Sequence, residues 1–435
     1  QDERIGRSVG ALYGVNTFGA AGGAMLAGFV LIPAFGLVTT TRLAAVANIA
    51  VGLIAAVWLR SATGAAAAPH ARPSVARGGE LTPNLRRGLM LVFAVSGFAA
   101  MVYQIMWTRT LVLSLGSSTY SFTCILAAFI LGLALGALLI ARFADRGANP
   151  VVWIAVVELL IGLSAVMVTP AYGLLPYVVS GLAREWGASA YEMLLAATFA
   201  IAIAVTLVPT LLMGALFPLV TRALSTSRDD AGSATGKAYG INTLGTITGA
   251  FLAGFVLIRS DVLGVRNSIV LASALNALAG FGLLYAMRTP KAAMRRLVPA
   301  GVVVLLVPII GLGVGRWNPL ALSSGAFQGK TPESFTDNMD IKYVGEGVDL
   351  SVIVARERGA ENLLLTVNAT VNASTTYHDM STNILMSHLP LLLAPRQENV
   401  CIIGLGCGVT LGSAAQHPGV QRVDCVEISD AVIRG

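Results

Sequence analysis

Charged residues are scarce in this chain. Asp, Glu, Lys and Arg together make up 12% of its 435 residues, whereas soluble globular domains carry roughly 25%. Hydrophobic residues make up 55%, and the mean hydropathy is +0.76. This composition argues against an ordinary soluble enzyme and is typical of an integral membrane protein, so we expect the lipid bilayer to be its main partner.

Two kinds of site lack their usual signals. The four cysteines, Cys124, Cys401, Cys407 and Cys425, form no CxxC pair and have no metal-ligand spacing with the histidines, which argues against a zinc site or a disulfide framework. No basic run alternates with aromatic residues, so the net charge of +7 indicates loops that set membrane topology. We therefore predict no metal site and no nucleic-acid partner.

Apolar runs long enough to cross a ~30 Å hydrocarbon core recur nine times. They lie near residues 10–34, 41–59, 88–108, 119–141, 150–169, 193–220, 237–258, 267–286 and 298–315. The Ala/Pro/Arg-rich segment 60–87 is typical of a flexible linker, and the mixed stretch 170–192 indicates a segment along the membrane interface. The sequence thus predicts a polytopic α-helical membrane bundle.

Part of the chain repeats itself. YGVNTFGAAGGAMLAGFVLI at 13–32 returns as YGINTLGTITGAFLAGFVLI at 239–258, with identity at 14 of 20 positions. Agreement of this length indicates an internal duplication. We predict a six-helix unit at 88–286 and, at 1–59, the last two helices of a truncated first copy, whose other four helices would precede Gln1. The glycines of the repeat predict close packing between helices.

Lys and Arg are divided unevenly between the two sides of the predicted bundle. One side carries basic clusters, and the other carries only Arg42, Arg109, Arg184, Arg259 and Arg266. The positive-inside rule makes the first side cytoplasmic. The ninth run, 298–315, would then carry the chain outward and leave residues 316–435 outside the cytoplasm; if that run does not cross, the domain returns to the cytoplasm.

The composition changes after residue 316. Two alternating segments, 341–357 and 362–374, predict antiparallel strands separated by a turn. An amphipathic helix and the strand NVCIIGLG follow them. We therefore predict a small β-hairpin unit with a helix at 316–395 and the start of a Rossmann-like nucleotide-binding unit at 396–435.

These motifs together resemble a known family. The β-hairpin unit, the helix ending in HLPLLLAP, then GLGCG and VEIS are similar to the spermidine synthases, the polyamine aminopropyltransferases. The chain as a whole resembles bacterial inner-membrane proteins in which a multi-helix region in the style of major-facilitator transporters is fused to a spermidine-synthase-like domain. SGFAAMVYQIMWTRTLVLSLGSSTYSF and the glycine-rich repeat carry that closer resemblance.

The resemblance implies a nucleotide site and a reaction. Decarboxylated S-adenosylmethionine would lie against the turn formed by Gly404, Gly406 and Gly408, and Glu427 would hold its ribose hydroxyls. The family's catalytic aspartate would lie beyond Gly435. Asp379 keeps an acid where the family has one, and Cys407 replaces the aspartate of the family's glycine-rich turn.

One ionisable side chain, Glu158, falls deep inside an apolar run. A charge at the bilayer centre costs about 2.5–3.5 kcal/mol, so the residue should face the bundle interior. It predicts either a cation, proton or general-base site, or a structural hydrogen bond to a neighbouring helix. Its expected polar companions are Tyr103, Gln104, Arg109 and Asn242.

Three functions remain open at this point. The first is aminopropyl or related alkyl transfer from an S-adenosyl-type nucleotide to a small amine or polyamine. The second is a membrane enzyme whose active site surrounds Glu158 and uses no S-adenosyl cofactor. The third is a transporter of a cationic or polyamine solute with a regulatory soluble domain.

Overall fold

The computed structural model describes residues 5–62, 81–143, 149–186, 191–225, 228–287, 292–313 and 316–435. Within these ranges, eight continuous helical segments are long and apolar enough to cross a membrane. The long helices are α1 (Ile5–Leu26), α2 (Ile32–Ala62), α3 (Pro83–Leu115), α4 (Thr119–Ala141), α5 (Pro150–Trp186), α6 (Tyr191–Leu224), α7 (Arg228–Leu252), α8 (Gly264–Ala286) and α9 (Ala292–Gly313).

The first two predicted runs form one continuous helical segment, Gly6–Trp58, of 53 residues. It would rise about 80 Å, more than twice the ~30 Å thickness of a hydrocarbon core. Gly36 interrupts it with a φ of +75°, a conformation that glycine adopts without steric cost. The kink therefore divides the segment into two parts, each long enough to cross.

Helix α5 continues where the sequence predicts a segment along the interface. It runs without a break to Trp186 and passes through Pro170 and Pro176, so residues 170–186 continue the helix, and their place along the membrane interface stays a prediction. Tyr172 and Val179 are buried on this part of the helix. Packing against the bundle stabilises the helix and offsets the hydrogen bonds that the two prolines remove.

Helix α3 begins inside the predicted linker. Pro83 is its first residue, and the Oγ1 of Thr82 accepts a hydrogen bond of 3.3 Å from the Leu85 amide. A threonine cap followed by proline is a strong helix start. Residues 63–80 of the predicted linker 60–87 lie outside the described residues.

The two copies of the repeat share a local structure. In each, the sequence AGFVL forms one turn of π-helix, at Ala27–Leu31 after α1 and at Ala253–Leu257 after α7. The helices that carry the two copies pack mainly against different neighbours: α1 packs on α4, and α7 packs on α3. Duplication of a whole six-helix unit stays a prediction.

Helix α3 lies at the centre of the bundle. It contacts α4, α5, α6, α7 and α8, and its residues Leu89, Tyr103 and Trp107 are fully buried. Helix α2, by contrast, exposes apolar side chains such as Ile54 and Trp58. This exposed apolar surface is compatible with lipid contact.

The remaining helices and strands are shorter, and the six strands form two sheets. They are α10 (Pro319–Leu322), α11 (Pro332–Asn338), β1 (Met339–Glu346), β2 (Ser351–Glu357), β3 (Leu363–Val367), β4 (Thr370–Ser374), α12 (Tyr377–Leu393), β5 (Asn399–Ile403), α13 (Val409–Ala415), β6 (Arg422–Val426) and α14 (Asp430–Arg434). Strands β1 to β4 form an antiparallel sheet in chain order, and β5 pairs with β6 in parallel.

The predicted hairpin contains four strands rather than two. Each predicted segment turns back on itself, and Asn368 and Ala369 form the tight turn between β3 and β4 with φ of +47° and +63°. Two consecutive positive φ values match the twist of a two-residue hairpin. Alanine is unusual in such a turn, which explains why the sequence does not reveal it.

Candidate functional site

Three glycines form the turn between β5 and α13. Gly404, Gly406 and Gly408 have φ values of +93°, +55° and +76°, a region that residues with side chains rarely adopt. A Cβ built on any of them would meet no atom within 4 Å. The glycines therefore permit the backbone conformation, and the turn presents an open face to a ligand.

Glu427 follows β6 and binds this turn. Its Oε2 accepts a hydrogen bond of 2.7 Å from the Leu405 amide, and its Oε1 accepts one of 2.9 Å from the Ser429 amide. The backbone hydrogen bonds, that of Ser429 first, hold the pKa of the Glu427 carboxyl below its usual range. Glu427 is therefore ionised at neutral pH and fixes the conformation of the turn.

The pairing of the two strands brings these predicted residues together. Ile403 lies opposite Val426 in the parallel pair, and the Gly404 amide donates a hydrogen bond of 2.8 Å to the Val426 carbonyl. The glycine turn and Glu427 consequently share the carboxyl edge of the sheet. In open α/β sheets this edge is where ligands bind.

Cys407 lies within the turn and its side chain is exposed. In the family that the sequence resembles, an aspartate occupies this position. A thiol is a weaker hydrogen-bond acceptor than a carboxylate.

Asp379 lies in the first turn of α12. Its Oδ2 accepts a hydrogen bond from the Oγ of Ser374 at the end of β4. Helix α12 packs on α13, where the Oγ1 of Thr410 donates to the Asn383 carbonyl at 3.2 Å. Asp379 thus links the antiparallel sheet to α12, and its partner is Ser374 rather than the glycine turn.

Glu158 lies at the centre of a buried polar cluster in the bundle. The Nδ2 of Asn276 donates to its Oε2 at 2.6 Å, and the hydroxyl of Tyr103 donates to Asn276 Oδ1 and Ser273 Oγ, both at 3.2 Å. Helices α3, α5 and α8 each contribute a member. Tyr103 is the one predicted companion that belongs to this hydrogen-bonded cluster.

Two other predicted companions lie outside the cluster. Gln104 is half-buried on α3, and Asn242 of α7 packs against Gly97 of α3. Ser273 and Asn276, which complete the cluster, were not among the predicted residues. Their spacing of three residues places them on the same helical face, and this signal could have identified them.

Arg109 has a different role from the predicted one. Its guanidinium donates to the carbonyl oxygens of Asp349, Gly347 and Val348 at 2.7, 2.8 and 2.9 Å. It therefore joins the end of α3 to the loop between β1 and β2. Long-range contacts of this kind carry no signal in a local sequence pattern.

A charged cleft of about 140 Å³ lies where the bundle, the antiparallel sheet and α14 meet. Burial raises the pKa of the Glu346 carboxyl, whose Oε2 accepts a hydrogen bond of 2.9 Å from the Val265 amide. The hydrogen bonds from Arg259 lower the pKa of Asp261 to about 2. Glu346 attaches the sheet, and Asp261 attaches α14 through Arg434 at 3.5 Å, to the bundle end on which Arg109 also lies.

Three of the known proteins that match this chain are named for polyamines or putrescine. Polyamine aminopropyltransferase 1 of Streptomyces coelicolor is 24% identical over 368 residues, covering 81% of this chain and 61% of that protein. The polyamine aminopropyltransferase of Methanocaldococcus jannaschii is 40% identical over 57 residues, covering 13% of this chain and 18% of that protein. Putrescine N-methyltransferase 2 of Nicotiana attenuata is 44% identical over 46 residues, covering 11% of this chain and 12% of that protein.

The comparisons indicate distant homology to polyamine aminopropyltransferases. The chain spans about three fifths of the length of the first relative and less than a fifth of the other two. No family profile matches the chain, and no solved structure matches it.

Proposed function

We propose that the chain binds an S-adenosyl-type nucleotide and transfers its aminopropyl group, or a related alkyl group, to a small amine. The observation that carries this proposal is the open glycine turn with Glu427 bonded beside it at the edge of β5 and β6. Decarboxylated S-adenosylmethionine is the expected co-substrate. The distant homology to aminopropyltransferases supports this choice.

The proposed reaction is a substitution at a carbon activated by a sulfonium. The amine nitrogen attacks that carbon, its carbon–sulfur bond breaks, and the bonding electron pair leaves with sulfur to form a neutral thioether. The nitrogen loses one proton to a carboxylate. The resembled family would place its catalytic aspartate beyond Gly435; among the residues of this chain, Asp379 is the carboxylate proposed to take the proton, and its hydrogen bond from Ser374 would hold it in a fixed orientation.

The relatives support an amine as the acceptor. Two are named for polyamines and one for putrescine. The alkyl group transferred differs between aminopropyl and methyl in those names. We therefore propose a small amine or polyamine acceptor and leave the transferred group as aminopropyl or a related alkyl.

We propose further that the bundle spans a bacterial inner membrane and that residues 316–435 lie outside the cytoplasm. The contact of Arg109 with the β1–β2 loop supports this side, as does that of Glu346 with Val265. Both contacts belong to the bundle end whose loops are poor in Lys and Arg. If the glycine turn lies outside the cytoplasm, its nucleotide must be present on that side of the membrane.

Binding of methylthioadenosine to the full chain in lipid nanodiscs tests the nucleotide site. We expect saturable binding that is lost in Glu427→Ala, because that change removes the acceptor for the Leu405 and Ser429 amides. Glu361→Ala, at an exposed side chain, is the matched control and should bind as the native chain does. Equal binding by all three proteins, or by none, would contradict the proposal.

A further inference from the structure

Two glycines in the second copy of the repeat bring α7 against α3. A Cβ built on Gly249 would come within 2.8 Å of the Phe98 Cα. A Cβ built on Gly245 would come within 3.1 Å of the Ala94 Cα, and both glycines are buried. Small residues allow two helix backbones to approach this closely in a membrane. The glycines of α7 therefore form one half of a helix–helix interface.

The corresponding glycines of α1 have no such neighbour. Gly19 and Gly23 take the places of Gly245 and Gly249 in the first copy of the repeat. Both are exposed, and a Cβ built on either would meet no atom within 4 Å in the described part of the chain. Another face of α1 is covered, because Gly10 packs against α4. The two copies thus share a sequence that is packed in one helix and open in the other.

A polar side chain lies on the same face as the two open glycines. Asn16 precedes Gly19 by three residues and Gly23 by seven, a spacing that places all three on one side of a helix. Its counterpart Asn242 packs against Gly97 of α3, whereas Asn16 is exposed within an apolar helix. An asparagine in a membrane helix typically bonds to a neighbouring helix. We call Asn16, Gly19 and Gly23 the open face of α1.

We propose that the open face of α1 is the docking site for a second helix of the α3 type. In that helix a small residue would receive Asn16 as Gly97 receives Asn242. Its source is the first copy of the six-helix unit that the repeat predicts, in which one helix corresponds to α3. This interface is remote in sequence from the glycine turn and goes beyond the proposed transferase function.

A second copy of this chain does not offer the surface that the open face needs. The matching part of α3, around Ala94, Gly97 and Phe98, already lies against α7 within the same chain, and Gly97 is buried. The open face could reach it only if α7 were displaced. The occupant is therefore a further helix, and not the α3 of a second folded copy.

A tagged helical hairpin of residues 83–141, which comprises α3 and α4, is the probe for this site. It is co-expressed with the full chain, its presence in the membrane fraction is verified by the tag, and the native cysteines are replaced by alanine in both. Ala94→Cys in the hairpin should form a disulfide with Gly19→Cys in the chain, because the equivalent positions of α3 and α7 are close enough for one.

Phe18→Cys is the control for this disulfide. Phe18 is 52% exposed, and its counterpart Leu244 stays 62% exposed beside α3, so a cysteine there should not react with the hairpin. A disulfide between two chains that carry Gly19→Cys would instead show an interface between copies. That result, or no disulfide while the hairpin is present in the membrane, overturns the proposal.

Retention of the full chain on the immobilised hairpin, without introduced cysteines, is the second measurement. Gly23→Leu should lower the retained amount at least tenfold, because its side chain would fill the space that the backbone of the docked helix needs. Nothing lies within 4 Å of this position in the described residues, so the variant should fold like the native chain. Gly22→Leu is the matched control, since Gly22 is also open and its counterpart Thr248 is exposed beside α3. Equal retention of the two variants, or no retention of the native chain, contradicts the docking site.

Discussion

The guanidinium of Arg109, at the end of α3, donates a hydrogen bond of 2.7 Å to the carbonyl oxygen of Asp349 in the loop after β1. The Oγ of Ser429 also donates to the Oδ1 of Asp349, at 3.4 Å, and the Ser429 amide bonds to Glu427. A continuous set of contacts therefore runs from the helical bundle to the carboxylate that holds the glycine turn.

Replacing Arg109 by alanine should loosen the β1–β2 loop. The change removes three hydrogen bonds from a charged donor, and hydrogen bonds to charged groups contribute about 2 kcal/mol. Hydrogen exchange at the amides of 347–352 should accelerate by one to two orders of magnitude. Arg422→Ala, which breaks an exposed ion pair with Asp424, is the control; equal exchange in the two variants would show that Arg109 does not hold the loop.

The glycine turn should lose stability in acid because of Glu427. Its folded-state pKa is depressed, so its contribution is fully present above the unfolded pKa of about 4.3. That contribution is lost as the pH falls through the lower folded pKa. Hydrogen exchange at Leu405 and Ser429, corrected for the intrinsic rate, should therefore accelerate below about pH 4.

Glu427→Gln provides the comparison for this pH dependence. Its neutral amide cannot titrate, so protection at the two amides should be lower at pH 7 and should not change further in acid. A native chain and a variant with the same pH profile would mean that another group controls the turn.

Gly406→Ala should weaken nucleotide binding. Gly406 has a φ of +55°, and an alanine in this region costs about 1–2 kcal/mol. Its methyl group would also occupy the open face of the turn, so we expect at least a tenfold loss of methylthioadenosine affinity. Gly412→Ala changes a glycine of α13 that also has open space around its Cβ position, and its affinity should match that of the native chain.

The local pattern predicted much of this fold. The limits of α4 match the predicted run 119–141, and the turn between β2 and β3 falls at the predicted place. The length of an apolar run and the alternation of apolar and polar residues are local features, so the sequence predicts the helices and strands that depend on them. The path of α5 through Pro170 was not predictable in this way, because tertiary packing overrides a local helix breaker.

In the candidate sites too, local contacts were predictable from the sequence and long-range contacts were not. The glycine turn and Glu427 are adjacent across one strand pair, and a short motif contains both. Asn276, by contrast, reaches Glu158 from a helix 118 positions away, and Arg109 reaches Asp349 across 240 positions. Such pairings depend on the packing of whole helices, which periodicity alone does not specify.

Close packing of α7 on α3 should make Gly249 intolerant of a large side chain. A Cβ at Gly249 would lie 2.8 Å from the Cα of Phe98, whereas Gly240 on the same helix has open space. Overpacking costs about 1–3 kcal/mol, so Gly249→Leu should lower the midpoint of thermal unfolding in detergent. Gly240→Leu should leave that midpoint unchanged, and equal effects would contradict the observed packing of α7.

Labelling of one engineered cysteine should show on which side of the membrane the glycine turn lies. The side chain of Glu361 is 94% exposed, so Glu361→Cys, with the exposed Cys401, Cys407 and Cys425 changed to serine, should react with an impermeant maleimide in intact cells. A cysteine at Ser74, in the predicted linker 60–87, should react only after lysis. Protection of Glu361→Cys until lysis would mean that α9 does not cross the membrane. The glycine turn would then have access to cytosolic S-adenosyl nucleotides. Labelling in intact cells would mean that the nucleotide donor must be present outside the cytoplasm.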